Sequence, residues 1–240
     1  MAEVARNDGL EVESCSKQYG PVAALQSVSF RVRPGMIVGL VGANGAGKTT
    51  MLHALVGLVR LDTGRMRLDG DPTSSVYAKR KIAFMPDDLP RPVRLTGREM
   101  IELNCRLYDH RSDRVSALAE RLELDGRLDQ PLGGYSHGMR RKIDLIAALA
   151  VEPRLLVMDE PFSGLDPGMV KVLQAMLLDL RSDGVSILVS SHDLELVQSV
   201  ADEIVVLDVG RVVFTGPSEM LMGQHRSKDL REAFLNMTME

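Results

Sequence analysis

Gly42-Ala-Asn44-Gly45-Ala-Gly47-Lys48-Thr49-Thr50, directly after the apolar run MIVGLV at 36–41, decides how the rest of the chain is read. The run is apolar throughout, as strands buried on both faces of a parallel sheet are. The residues after it fit G-x-x-x-x-G-K-[ST], a strand-to-helix turn that cradles phosphates. Gly42, Gly45 and Gly47 place no Cβ in the way, so the loop's backbone N–H groups, that of Asn44 included, can wrap the phosphates. The N-terminus of the following helix adds a partial positive charge. Lys48 is expected to reach the β- and γ-phosphates, the Thr49 hydroxyl to ligate Mg²⁺, and Thr50 to touch the α-phosphate. The expected ligands are ATP and Mg²⁺.

Similar apolar runs recur at 155–158 (LLVM), 187–190 (ILVS) and 204–207 (IVVL), with a shorter strand at 82–85 and another at 211–215 after the Val209-Gly210 turn. Residues 10–13 and 27–32 alternate apolar with polar, as half-buried antiparallel strands do. Helical patterns fall at 48–58, 97–107, 114–122, 138–150, 169–181 and 193–199. The predicted fold class is α/β: a P-loop NTPase core on a mostly parallel sheet, an antiparallel β subdomain from the N-terminal part, and a helical subdomain at about 88–150. One domain is expected over 1–226. Beyond it, 227–240 places Leu230, Ala233, Phe234 and Met237 at helical spacing, which reads as a short amphipathic helix docked on the body.

The run at 155–158 ends in Asp159 and Glu160. A parallel strand carries such acids to its C-terminal edge, where these sheets bind ligands. Alone, the pair would be an ordinary polar strand end. Beside a P-loop, Asp159 is expected to hold Mg²⁺ through a water, and Glu160 to orient and deprotonate an attacking water.

Composition narrows the partners. The chain has 240 residues, 26% charged and 45% hydrophobic, with net charge −4 and a pI near 5.8. That is ordinary globular composition, and the acidic balance argues against nucleic acid as a partner. Cys15 and Cys105 have no metal-binding spacing, which points to a reducing compartment, the cytosol. The leading residues carry acids and no apolar segment of the signal-peptide kind. The longest apolar runs, such as 145–151, are too short to span a bilayer, so a membrane role requires another chain.

With these motifs in place, the chain resembles the ATP-binding subunit of an ATP-binding-cassette (ABC) transporter over nearly its whole length. Walker A is 42–50, and Walker B is 155–159 followed by Glu160. Tyr135-Ser136-His137-Gly138-Met139 stands where the family has L-S-G-G-Q. It departs at three of five positions but keeps Ser136 and Gly138, the groups that contact phosphate. By itself the segment is simply a good helix N-cap. With Arg140, Arg141 and Lys142 after it, it is similar to the variant of exporter subunits. Ser163-Gly-Leu-Asp166 resembles the D-loop that crosses the dimer interface. His192, in Ser191-His192-Asp193, resembles the switch histidine at the γ-phosphate, whereas His53, His110 and His225 share no metal spacing. Tyr19 stands where the family stacks an aromatic on adenine; a buried tyrosine is the alternative. Asp87, in Pro86-Asp87-Asp88, occupies the place of the usual Gln. It is either a ligand of Mg²⁺ or water with a shorter reach, or a cap of the helical insertion.

The resemblance implies ATP + H₂O → ADP + phosphate in a head-to-tail dimer with a second cassette, identical or not. It implies separate integral membrane permease subunits and a peripheral place on the cytoplasmic face of the membrane. Leu95-Thr96-Gly97-Arg98-Glu99 and the tail at 230–235 resemble subunits of drug, antibiotic or polysaccharide exporters, which favours export over import. The rival is a soluble ABC ATPase acting on ribosomes or DNA. Such proteins carry paired cassettes with basic linkers, or a long coiled coil, and this sequence has neither. A sensor that binds ATP without turnover would not need Glu160 and His192.

Overall fold

The computed structural model describes residues 9–87 and 92–239; the leading residues 1–8 and the expected start of the helical subdomain at 88 lie outside them. The chain opens with β1 (Leu10–Tyr19), β2 (Val22–Val32) and β3 (Ile37–Val41), then α1 (Lys48–Leu55), β4 (Thr63–Leu68), β5 (Asp71–Pro72), α2 (Val76–Lys79) and β6 (Ile82–Met85). Helices α3 (Gly97–Leu107), α4 (Val115–Arg121) and α5 (His137–Leu149) fill the middle. The last part alternates β7 (Leu155–Asp159), α6 (Pro167–Ser182), β8 (Ser186–Ser191), α7 (Leu194–Val200), β9 (Glu203–Asp208) and β10 (Arg211–Gly216), and ends in α8 (Ser218–Gln224) and α9 (Leu230–Met239).

Two sheets organise these elements. The larger has the order β10-β9-β3-β8-β7-β6, parallel except for β10. The smaller, β2-β1-β4-β5, is antiparallel. The uniformly apolar runs are explained by burial on both faces of the larger sheet. In β7, Leu155 and Val157 face the cluster shared with Leu40, Met51 and Leu55, between the two sheets. Leu156 and Met158 face the opposite cluster, with Ile146 of α5 and Leu173 of α6. No face of β7 meets water, so neither needs a polar residue.

The antiparallel layer corrects the expected strand limits. The segments 10–13 and 27–32 are halves of longer strands, broken by β-bulges between Val12 and Cys15 and beyond. Ser14 and Ser27 adopt left-handed backbone, φ 48° and 54°. There the ladder lapses and hydroxyls replace it: Ser14 N–H donates to Ser29 Oγ at 2.8 Å, and Ser27 N–H to Ser16 Oγ at 3.0 Å. An extra residue at each bulge resets the alternation, which hides the continuation from a period-two reading. Strands β4 and β5 were not anticipated. In β4 only Met66 and Leu68 are buried, and Arg65 points out to pair with Glu13 of β1.

In the helical middle, Thr96 caps α3 with a full capping box. Glu99 N–H donates to Thr96 Oγ1 at 3.2 Å, and Thr96 N–H to Glu99 Oε2 at 2.8 Å. Such a cap stabilises by about 1 kcal/mol. It also means that Asp87 does not cap α3. At the chain's end, Leu230 and Ala233 of α9 are buried with Val41, Val197, Ile204 and Leu221. The amphipathic tail helix therefore packs on the larger sheet, together with α8, which the sequence reading did not separate.

Candidate functional site

The parallel register brings the C-terminal ends of β3, β7 and β8 side by side: Val41 pairs with Ser191, and Asp159 with Ser190. From β3 the chain turns through Gly42 to Gly47 into α1. A Cβ on Gly42 would lie 2.3 Å from the Leu207 carbonyl oxygen, and one on Gly47 would lie 2.4 Å from that of Ala24. Gly47 also has φ 108°, where a side chain is strained. Only glycine lets this loop pass so close to β9 and β2.

Lys48 is 8% exposed. Its Nζ donates to the Gly42 carbonyl at 2.6 Å and to that of Ala43 at 3.2 Å. Burial pushes the Lys48 ammonium below its usual pKa, with the Glu160 and Asp159 carboxylates pulling the other way. A cavity of about 440 Å³ opens here, lined by Asn44, Gly45, Gly47, Lys48, Thr49 and Thr50 on the loop side. Asp87, Glu160, Ser163 and His192 face them, and Val22, Ala23, Ala24 and Val209 complete the wall.

Both oxygens of Glu160 are held. Ser191 Oγ donates to Oε2 at 3.1 Å, and His192 Nδ1 stands 2.9 Å from Oε1. Glu160 N–H donates to the Ser190 carbonyl at 3.1 Å, and its backbone is left-handed, φ 47°. Behind it, the Ser190 hydroxyl donates to Asp159 Oδ1, and Asp159 is buried. Ser190 and Ser191 were not singled out from sequence. Their only signal in the sequence is two hydroxyls ending an apolar strand.

The remaining candidates divide. Asp87 lines the cavity with its side chain 50% exposed, 3.8 Å from Arg141 Nη1. Tyr19 is 47% exposed, so it is not the buried tyrosine of the alternative reading, and Lys17 Nζ stands 5.3 Å from its ring centre. It lies at the end of β1, outside the cavity lining. Ser136, Gly138 and Asp166 are also outside that lining. Ser136 caps α5, its Oγ accepting from Met139 N–H at 3.2 Å. Asp166 caps α6, its Oδ1 accepting from Gly168 and Met169 N–H at 2.9 and 3.0 Å. The two loops touch each other: a Cβ on Gly164 would lie 2.3 Å from His137 Cδ2. Among the described residues, no group of three or more His, Cys, Asp or Glu side chains could hold a metal by itself.

A glycine-rich loop between a parallel strand and a helix, with an acid pair at the end of the strand two places along the same sheet, defines a P-loop nucleoside triphosphatase. The family model described as ABC transporter matches residues 25–163. The lipopolysaccharide export system ATP-binding protein LptB of Haemophilus influenzae is 32% identical over 228 residues, 91% of this chain and 95% of that protein. The sulfate/thiosulfate import ATP-binding protein CysA of Synechococcus elongatus is 36% identical over 219 residues, 88% of this chain and 64% of that protein. A solved structure of the ATP binding subunit of an ABC transporter superposes with a TM-score of 0.90 at 30% identity, covering 95% of this chain and 99% of its own. The chain belongs to the ABC transporter family as an ATP-binding subunit, an ATPase that powers transport. Subunits of this kind work with membrane permease subunits. Among the described residues, no helix is long and apolar enough to cross a membrane.

Proposed function

We propose that this subunit hydrolyses ATP with Glu160 as the base on the attacking water, and that it drives export. The observation that carries the reading is the setting of Glu160. Its carboxylate is fixed on both oxygens and lines one cavity with Lys48 and Thr49. A general base must be oriented before it can act, and here Ser191 and His192 orient it. His192 uses Nδ1 toward Glu160, which leaves Nε2 for a γ-phosphate oxygen. Lys48 exchanges the two carbonyls it now meets for phosphate oxygens, and Thr50 adds a contact at the α-phosphate. Tyr19 offers an exposed ring to adenine.

The donor set suits Mg²⁺, a hard cation that takes oxygen ligands and usually arrives with phosphates. Thr49, Asp159 and Asp87 would hold it, and the bound ion would offset charge on the phosphates. With no protein cluster sufficient for a metal among the described residues, the ion is expected to enter with the nucleotide.

Ser136, Gly138 and Asp166 are read as acting on the ATP of a second cassette, since they lie outside the cavity of their own chain. The subunit then sits on the cytoplasmic face of the membrane through its permease. The exporter and importer relatives are alike in identity, so export rests on the local likeness of 95–99, of the Tyr-Ser-His-Gly-Met segment and of the tail to exporter subunits. Steady-state phosphate release by the full chain tests the chemistry. Turnover should require Mg²⁺ and fall by ~10²–10⁴ in Glu160→Gln, the size of a general-base contribution. Turnover within threefold of wild type would remove Glu160 from the role.

A further inference from the structure

Arg141 is 1% exposed, among the largest side chains to be fully buried. It projects from α5, the helix that Ser136 caps. Its Nη1 donates to the carbonyls of Pro86 at 2.6 Å and Asp87 at 2.7 Å. Its Nη2 donates to the carbonyls of Asp159, at 3.3 Å, and Glu160. The Asp87 carboxylate lies 3.8 Å from Nη1. One planar guanidinium thus clasps two backbone segments, the one leaving β6 and the one leaving β7, and both carry a carboxylate into the cavity.

A buried cation is costly unless it is compensated, and here four carbonyls accept from its two terminal nitrogens, with a carboxylate nearby. The choice of carbonyls matters more than the compensation. Helix packing alone would be served by an apolar side chain, which is often as stable as a buried ion. Arg141 instead holds the backbone where Glu160 departs from ordinary geometry, in the left-handed region. A contact to the Glu160 carbonyl restrains that peptide, and through it the direction in which the carboxylate leaves the chain.

We propose that Arg141 is a positioning residue for ATP hydrolysis, fixing the backbone of Asp87 and Glu160 together and tying both to the helix that presents Ser136. This rests on the reading of Glu160 as the base. Arg141 is buried and does not line the cavity; it acts through the peptides it holds. Movement of α5 is therefore transmitted to the base through a single side chain. A lysine keeps the charge but gathers its donors at one point, so it cannot span both pairs of carbonyls.

Arg141→Lys in the full chain tests this, with nucleotide affinity, KM, kcat and thermal unfolding measured together. In the folded variant, kcat should fall by about 10–100-fold, as displacement of a reacting group by about 1 Å does. KM and affinity for a fluorescent ATP analogue should stay within about threefold of wild type, because the loop holding the phosphates is untouched. In a Glu160→Gln background, Arg141→Lys should cause no further loss of kcat, since there is no base left to position. If Arg141→Lys does not fold, Arg141→Gln carries the same measurements. A folded variant whose kcat stays within threefold of wild type overturns the proposal. So does one in which affinity, KM and kcat deteriorate together, or one whose loss adds fully to that of Glu160→Gln. Near-normal turnover in Glu160→Gln alone would instead remove the base assignment, which separates the two failures.

Discussion

Ser190 and Asp159 stand opposite each other in the parallel ladder, and the Ser190 hydroxyl donates to the Asp159 carboxylate. One residue further on, past the end of β7, Ser191 of β8 donates to Glu160. Sheet register therefore sets Asp159 against Ser190, while Glu160, just past the strand in left-handed backbone, is aimed by that turn and by its contacts. A one-residue slip of β7 would turn Asp159 to the other face.

Glu160→Gln should keep Mg-ATP affinity while stopping the step that releases it. In a dimer that opens only after hydrolysis, the variant should accumulate as an ATP-bound pair. Gel filtration with and without ATP reads this directly. A variant that stays at the monomer position at saturating Mg-ATP, while binding nucleotide normally, counts against an ATP-sandwiched dimer.

Lys48→Ala should weaken ATP binding by ~10–100-fold, as expected from losing charge-assisted bonds worth ~1.5–3 kcal/mol. Its pH dependence is a sharper check. Burial depresses the Lys48 pKa in the free protein, and phosphate would raise it again. Binding then takes up a proton once Lys48 has begun to lose its own. Affinity should be flat with respect to this group below the depressed value. It should fall as pH climbs from there towards the usual lysine range. Lys48→Arg, which stays charged, should lack that alkaline decline. Titrations of a fluorescent nucleotide across pH with both proteins decide it.

Ser136→Ala and Lys48→Ala should complement each other. If Ser136 serves the partner's ATP, a mixed dimer holds one site with both residues intact and one site lacking both. Activity of the mixture should then exceed that of either variant alone. No gain, with mixed dimers shown to form by tagging one chain, would argue for a site completed within one chain.

Asp87→Gln should lower the Mg²⁺ concentration needed for half-maximal turnover. An additional carboxylate beside Glu160 and Asp159 opposes a phosphate until a cation offsets it. Arg141, 3.8 Å away, reduces that opposition but leaves the carboxylate half exposed to the cavity. At saturating Mg²⁺ the two proteins should converge. Superimposable Mg²⁺ curves would sink the ligand role.

Much of this arrangement was legible because strong local rules produce it. The phosphate loop, the acids of β7 and the apolar strands follow from burial on both faces and from the needs of a phosphate. What escaped depends on long-range pairing. The bulges at Ser14 and Ser27 use hydroxyls from the neighbouring strand, and β4 buries only two side chains. Arg141 read only as one of three consecutive basic residues after the Tyr-Ser-His-Gly-Met segment. Its burial depends on carbonyls 18 to 55 residues away. Ser190 and Ser191 acquire partners only once β7 and β8 are known to be adjacent.

The left-handed backbone at Glu160 sets durability against work. A non-glycine residue held there costs on the order of 1–3 kcal/mol, a sizeable share of what keeps a domain folded. Glycine or asparagine meets that backbone at lower cost, and neither could serve as the base we propose for Glu160. Screening variants of this position for heat resistance alone would therefore favour idle cassettes. Only a screen that scores phosphate release would keep the acid.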